Sequence, residues 1–79
     1  MSNVNVRFIR KEPTEFVILA DIMLEVTTLP RAGDMVQFYA NCLGPDYVCS
    51  SRAISILWNY GPPSYQDYTG VRFVEIIVE

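Results

Sequence analysis

The sequence predicts an all-β fold, a small antiparallel meander or closed barrel of five to six strands in a single domain. Its 79 residues leave room for one domain only. Hydrophobic residues make up 51% of the chain and charged residues 19%, which is too apolar and too weakly charged for a disordered chain. Several short segments alternate apolar and polar residues, and turns rich in glycine and proline separate them.

The first half of the chain contains two predicted strands. Residues 4–10 alternate as a half-buried strand does, and Pro13 in segment 11–14 indicates a turn. Residues 16–26 form a longer strand, whose first half is predicted to be covered on both faces. Its even positions are predicted to face the core: Phe16, Ile18, Ala20, Ile22, Leu24 and Val26. A helix capped by Thr14 is the competing interpretation, because Ala, Leu, Met and Glu are good helix formers. The β-branched content and the lack of a polar stripe at helical spacing favour the strand.

The second half of the chain contains shorter predicted strands, separated by turns. Residues 29–34 form a predicted turn, in which Pro30 fixes one φ angle and Gly33 supplies a positive one. A strand over 35–41 precedes a turn at 43–46, a returning strand over 47–51 and a bulge at 50–52. The strand pattern resumes over 53–58, and a last strand covers 71–79. Three of these strands have a predicted core face: Val36, Phe38, Ala40 and Cys42 on the strand 35–41; Ile54, Ile56 and Trp58 on 53–58; and Val74, Ile76 and Val78 on 71–79.

Short turns between strands predict antiparallel pairing close to the sequence order. The sequence leaves open whether the last strand closes against the first. If it does not, two open edges favour self-association by edge pairing.

Two cysteines are predicted to lie opposite each other. A hairpin turn at 44–47 would place Cys42 and Cys49 across one ladder, close enough to bridge if oxidised. For a cytoplasmic protein we expect reduced, partly buried thiols instead.

Catalysis, cofactors and metals are not expected. The chain has no histidine, so it lacks the usual general base and the Ser-His or Cys-His nucleophile pairs. The carboxylate pairs Asp21/Glu25 and Glu75/Glu79 share strand faces but lie more than about 10 Å apart along a strand. We therefore predict a protein that is not an enzyme, with no metal site and no cofactor.

Charge and hydropathy restrict the partners. Six Lys and Arg against nine Asp and Glu leave a net charge of −3, which argues against nucleic-acid binding. No apolar run exceeds the five residues 16–20, so no membrane span is expected. A cytoplasmic location is the expectation in the absence of a secretory signal pattern.

The candidate binding residues are four aromatic side chains in segment 58–68, namely Trp58, Tyr60, Tyr65 and Tyr68. They are four of ten aromatic residues and flank two adjacent prolines, which would stiffen a loop. Tyrosine and tryptophan dominate binding hot spots, and stiffness lowers the entropic cost of binding. The alternative is that they plug the core, which is favoured for Trp58 because it continues a strand pattern.

A turn of the form LPRxGDxV occupies residues 29–36, followed by Tyr47-Val48, the segment 54–58 and a valine-rich final strand. With these features the chain resembles short uncharacterised proteins of phages and prophages that look like SH3-like small barrels. The resemblance covers about the last two-thirds of the chain. It implies an SH3-like barrel and no catalytic residues.

The first functional hypothesis is a protein-interaction module that binds another protein or its own copy, through the aromatic loop or an open sheet edge. A second is a phage-encoded inhibitor whose acidic surface covers a basic site on a host protein. A third is single-stranded nucleic-acid binding by base stacking.

Overall fold

The computed structural model describes residues 3–60 and 71–79 and confirms the all-β fold. Five strands follow one another along the chain: β1 (Asn3–Lys11), β2 (Phe16–Glu25), β3 (Met35–Tyr39), β4 (Val48–Tyr60) and β5 (Val71–Val78). One turn of 3₁₀ helix, Val26–Thr28, follows β2, so the strand interpretation of this region is confirmed over the helix. Within the described ranges, no helix is long and apolar enough to cross a membrane.

The strands form one curled sheet, a half-barrel, in the order β2-β1-β5-β4-β3. β1 pairs with β2, β4 with β5 and β3 with β4, all antiparallel. The last strand pairs with the first, but β1 and β5 run parallel rather than antiparallel. Parity explains this difference from an all-antiparallel sheet, because four successive reversals leave the first and fifth strands pointing the same way. Taken around the half-barrel, the strand order is that of a meander in which β1 and β5 pair, and the sheet is open only between β2 and β3. We call this opening the seam.

The seam is bridged at one end by the turn after β3. The side-chain amide of Asn41 donates to the Asp21 carbonyl and accepts from the Asp21 amide, both at 3.1 Å. The Cys42 N–H donates to the Leu19 carbonyl at 3.0 Å. These bonds replace part of the ladder that a neighbouring strand would form. Across the interior, the rings of Phe8 and Phe38 stack with centroids 4.1 Å apart.

The core lies on the concave, inner face of the sheet. The predicted core residues of the last strand, Val74, Ile76 and Val78, are fully buried. They pack with buried side chains from the other four strands and from the β3–β4 connection, the rest of the cluster being Val4, Val6, Phe8, Leu19, Ala20, Phe38, Ala40, Cys49 and Ala53.

Because of two β-bulges, some residues predicted to face the core point outward. Phe8 lies opposite Ala20 while Ile9 lies opposite Ile18, so Leu19 is an extra residue in β2. Beyond this bulge the alternation shifts by one residue, and Phe16 and Ile18 are exposed rather than buried. The core-facing prediction for these two residues is therefore wrong, whereas Ala20 is buried and Ile22 and Leu24 pack against the core.

The second bulge lies in β4, two residues beyond the predicted segment 50–52. Ala53 pairs with Val78 and Ser55 with Ile77, which leaves Ile54 as the extra residue. Ile54 is exposed, so its predicted grouping with Ile56 in the core is wrong. β4 runs without a break through residues 50–52, where the bulge was predicted.

The turn before β3 has the predicted chemistry. Gly33 has a φ of +99°, which an L-residue rarely adopts. A carboxylate oxygen of Asp34 accepts from the Arg31 N–H at 2.8 Å, and the Gly33 N–H donates to the Ala53 carbonyl at 2.7 Å. The turn is thereby tied to β4.

The two cysteines do not face each other, so that prediction is wrong. Cys49 is buried opposite Phe38, and Cys42 is exposed; both are free. The ladder ends at the bond from the Ala40 N–H to the Tyr47 carbonyl, after which the chain turns toward β2. Residue 42 therefore meets the β2 edge instead of β4.

Candidate interaction surfaces

Two of the four aromatic candidates fall on β4. Trp58 lies opposite the fully buried Val74, and so shares the inner face, yet it remains 41% exposed. Tyr60 is the last residue of the strand. Tyr65 and Tyr68 lie outside the described residues. The structure thus describes one side chain of the predicted site, an exposed tryptophan on the core-facing side of the sheet.

The convex, outer face carries an apolar cleft of about 380 Å³, which we call the outer-face cleft. Four strands contribute to its lining: Arg7, Ile9, Phe16, Ile18, Leu57, Glu75 and Ile77. Strand register explains their convergence, because Ile9 lies opposite both Ile18 and Ile77. Leu57 and Arg7 likewise both lie opposite Glu75.

The apolar side chains of this cleft are unusually open to solvent. Phe16 is 62% exposed, Leu57 51% and Ile18 43%, whereas Ile9 between them is only 5% exposed. Single exposed apolar residues are ordinary, but several that line the same cleft are typical of a binding site.

Two charged residues in the lining are held by neighbours within the sheet. The Arg7 guanidinium lies 3.6 Å from an Asp21 carboxylate oxygen and 5.7 Å from the centroid of the Phe73 ring. Asn59 donates to a Glu75 carboxylate oxygen at 3.4 Å. Arg7 Nε is buried and has no hydrogen-bond partner among the described residues. The cleft therefore combines apolar walls with one cation and one carboxylate.

Sequence reasoning missed the outer-face cleft because Phe16 and Ile18 were assigned to the core. The consecutive apolar residues 16–20 predict cover on both faces of the strand, whereas the structure leaves Phe16 and Ile18 exposed on the outer face. Successive residues of a strand point to opposite faces, so five consecutive apolar residues must place some on the second face. The bulge at Leu19 determines which ones.

A second surface lies along β3 at the end of the sheet, and we call it the β3 edge. Met35 and Tyr39 are each 65% exposed there. A cleft of about 260 Å³ is lined by Gln37, Phe38, Tyr39 and Val48. All four residues belong to β3 and its neighbour β4. This cleft is therefore lined by the β3–β4 hairpin, and β2 does not contribute to it.

Metal-binding geometry is absent from the described part of the chain. No three Cys, Asp or Glu side chains there gather in a way that could hold an ion. The three ion pairs described, Arg7–Asp21, Arg10–Glu12 and Arg52–Glu79, lie at the surface. Pairs of this kind contribute little to stability.

Comparisons with protein-family models, with curated proteins and with solved structures find no match to this chain. The resemblance to SH3-like proteins of phages and prophages therefore stays a prediction.

Proposed function

We propose that this chain is a non-enzymatic small-barrel module of phage or prophage type that binds another protein. The observation that carries the proposal is the outer-face cleft, where Phe16, Ile18 and Leu57 remain exposed around the buried Ile9. Burying apolar surface stabilises a complex by about 25 cal/mol per Å², so these side chains favour association.

The chemistry of the cleft suggests what the partner presents. Its volume is at the small end of ligand pockets, which span about 300–1,000 Å³. Its walls are aliphatic and aromatic. Of its two charged residues, Glu75 accepts from Asn59 and Arg7 pairs with Asp21 through one guanidinium nitrogen, while the buried Arg7 Nε is left without a partner among the described residues. We therefore expect the partner to insert apolar side chains rather than a charged group. Trp58, Tyr60, Tyr65 and Tyr68 remain the proposed aromatic contributors, and a cytoplasmic location belongs to the same proposal.

The test compares two variants of the whole chain. Phe16→Gln with Leu57→Gln removes apolar area from the cleft, whereas Met23→Gln removes a similarly exposed apolar side chain of β2 outside it. Proteins captured from a host lysate are identified for each variant. We expect the double variant to lose the partner that wild type and Met23→Gln retain. Equal capture by all three would contradict the role of the cleft.

The acidic balance of nine carboxylates against six basic residues supports a second candidate, an inhibitor that covers a basic site on a host protein. Salt separates the two mechanisms, because ionic screening shortens to about 3 Å at 1 M. Binding through the cleft should persist at high salt, and inhibition through charge should be lost. For the nucleic-acid hypothesis, we expect no shift of a labelled single-stranded oligonucleotide at low salt.

A further inference from the structure

We propose that the β3 edge pairs with the β3 edge of a second copy of this chain, antiparallel and centred on Gln37. The resulting dimer would join two half-barrels through one continuous sheet. This inference goes beyond the proposed function, because it uses a different surface and a different partner from the outer-face cleft.

The backbone of β3 is available for such pairing. The Asp34 carbonyl accepts from the Ala53 N–H at 2.8 Å, and the Ala40 N–H donates to the Tyr47 carbonyl at 2.7 Å. Even-numbered residues therefore direct their backbone groups toward β4. Because direction alternates along a strand, the odd-numbered residues Met35, Gln37 and Tyr39 direct theirs away from it. The Tyr39 carbonyl already accepts from the Asn41 N–H at 2.9 Å, so the groups open to pairing are centred on Met35 and Gln37.

Among residues 3–60 and 71–79, the β3 edge also lacks the usual protection against pairing. Natural edge strands are blunted by charged side chains, proline, bulges or covering loops. From Met35 to Asn41 the chain has no charged residue, no proline and no bulge. The opposite edge differs, because β2 carries Asp21 and Glu25 and is bridged by Asn41.

A second copy suits this edge better than a charged peptide does. Each chain has a net charge of −3, which opposes association in general. The uncharged β3 segment is a place where two copies can meet without opposing like charges in the ladder. Self-pairing also satisfies the outward groups of both copies equally, as a two-fold interface requires.

The register of the proposed β3–β3 pairing predicts which side chains meet across the dimer. With Gln37 opposite Gln37 of the second copy, Met35 lies opposite Tyr39 of the other chain, and Val36 opposite Phe38. The Met35 side chain would then reach the 260 Å³ cleft that Gln37, Tyr39 and Val48 help to line. Methionine fills irregular gaps well and forms favourable contacts with aromatic rings.

We expect the dimer to be weak. Stable interfaces bury about 1,200–2,000 Å² in total, and a five-residue strand pairing buries less. A dissociation constant of roughly 10–100 µM is therefore expected. Sedimentation velocity on the whole chain from about 5 µM to 500 µM spans that range.

The decisive variant is Gln37→Lys, which places two like charges directly opposite at the dyad. Its matched control is Ser50→Lys, which puts the same charge on the cross-strand neighbour of Gln37, one strand inside the edge. We expect Gln37→Lys to raise the dissociation constant at least about tenfold and Ser50→Lys to change it much less. A wild type that stays monomeric at 500 µM, or a Gln37→Lys variant that dimerises like wild type, overturns the inference.

A cross-link tests the register without relying on a charged variant. In a Cys42→Ser background, Gln37→Cys should form a disulfide-linked dimer under mild oxidation, since directly opposed Cα atoms lie about 5.5 Å apart. Ser50→Cys in the same background should not form this disulfide, because the β3 strands of both copies would lie between its two thiols. Equal cross-linking by both contradicts the pairing. Neither result bears on the outer-face cleft, which Phe16→Gln and Leu57→Gln test separately.

Discussion

The two faces of the sheet are built from similar residues but have opposite environments. The inner face buries Val6, Val74 and Ile76 completely, while the outer face leaves Phe16 and Leu57 more than half exposed. Curvature accounts for the difference, because residues on the concave side converge on one another across the half-barrel, as Phe8 and Phe38 do. On the convex side, Ile9 is buried between its neighbours, but the side chains around it remain open to solvent. Apolar character alone therefore does not identify the core of this protein.

The largest expected contrast comes from two adjacent isoleucines of β5. Ile76→Ala should lower the free energy of unfolding by about 3 kcal/mol, because a fully buried side chain leaves a cavity. Ile77→Ala, on the outer face, should cost less than about 1.5 kcal/mol, since that side chain lines an open cleft. Urea unfolding of both variants measures the difference. Equal losses would show that the outer face is packed in solution.

The seam provides the next test, because the bridge at Asn41 helps to keep the inner face closed. Asn41→Ala removes two hydrogen bonds to the Asp21 backbone and should cost about 1–2 kcal/mol of unfolding free energy. The Asp21 amide should also exchange its hydrogen faster, which nuclear magnetic resonance can follow at that residue. Unchanged protection of Asp21 would argue against the bridge.

A smaller effect is expected at the turn that leads into β3. Gly33→Ala should lower the free energy of unfolding by about 1 kcal/mol, because Gly33 has a φ of +99° that alanine adopts only with strain. Steric overlap is not the cause, since a Cβ at Gly33 would meet no atom within 4 Å. Gly44→Ala is the matched control: it has the same free space without a positive φ, and should be close to neutral. Thermal unfolding of the two variants compares them. A similar loss at both positions would contradict the conformational explanation.

The smallest effect on stability should come from the outer face. Leu57→Gln should change the free energy of unfolding by less than about 0.5 kcal/mol, because the side chain is already half exposed. The same substitution should weaken partner binding if the outer-face cleft is the contact surface. A loss of more than about 1.5 kcal/mol in urea unfolding would instead assign Leu57 a structural role.

Local chemistry made much of the fold predictable. Alternation in residues 4–10 and 71–79 identified two strands, because the side-chain period of a strand is set by its own backbone. Pro30 and Gly33 identified the turn before β3, since each restricts or permits particular φ angles wherever it occurs. The alternation did not decide whether the last strand pairs with the first, nor that the two run parallel.

The binding surfaces could not be located in the same way. Phe16 and Ile18 match a core pattern, and only the extra residue Leu19, defined by pairing with β1, turns them outward. Likewise, β3 becomes an edge because the turn at Asn41 bridges to β2 in place of a ladder. By itself the sequence determined the strands, the turns and the all-β class, which depend on neighbouring residues. The tertiary structure decided which face is buried and which edge is open, because strand register and closure depend on residues far apart in the chain.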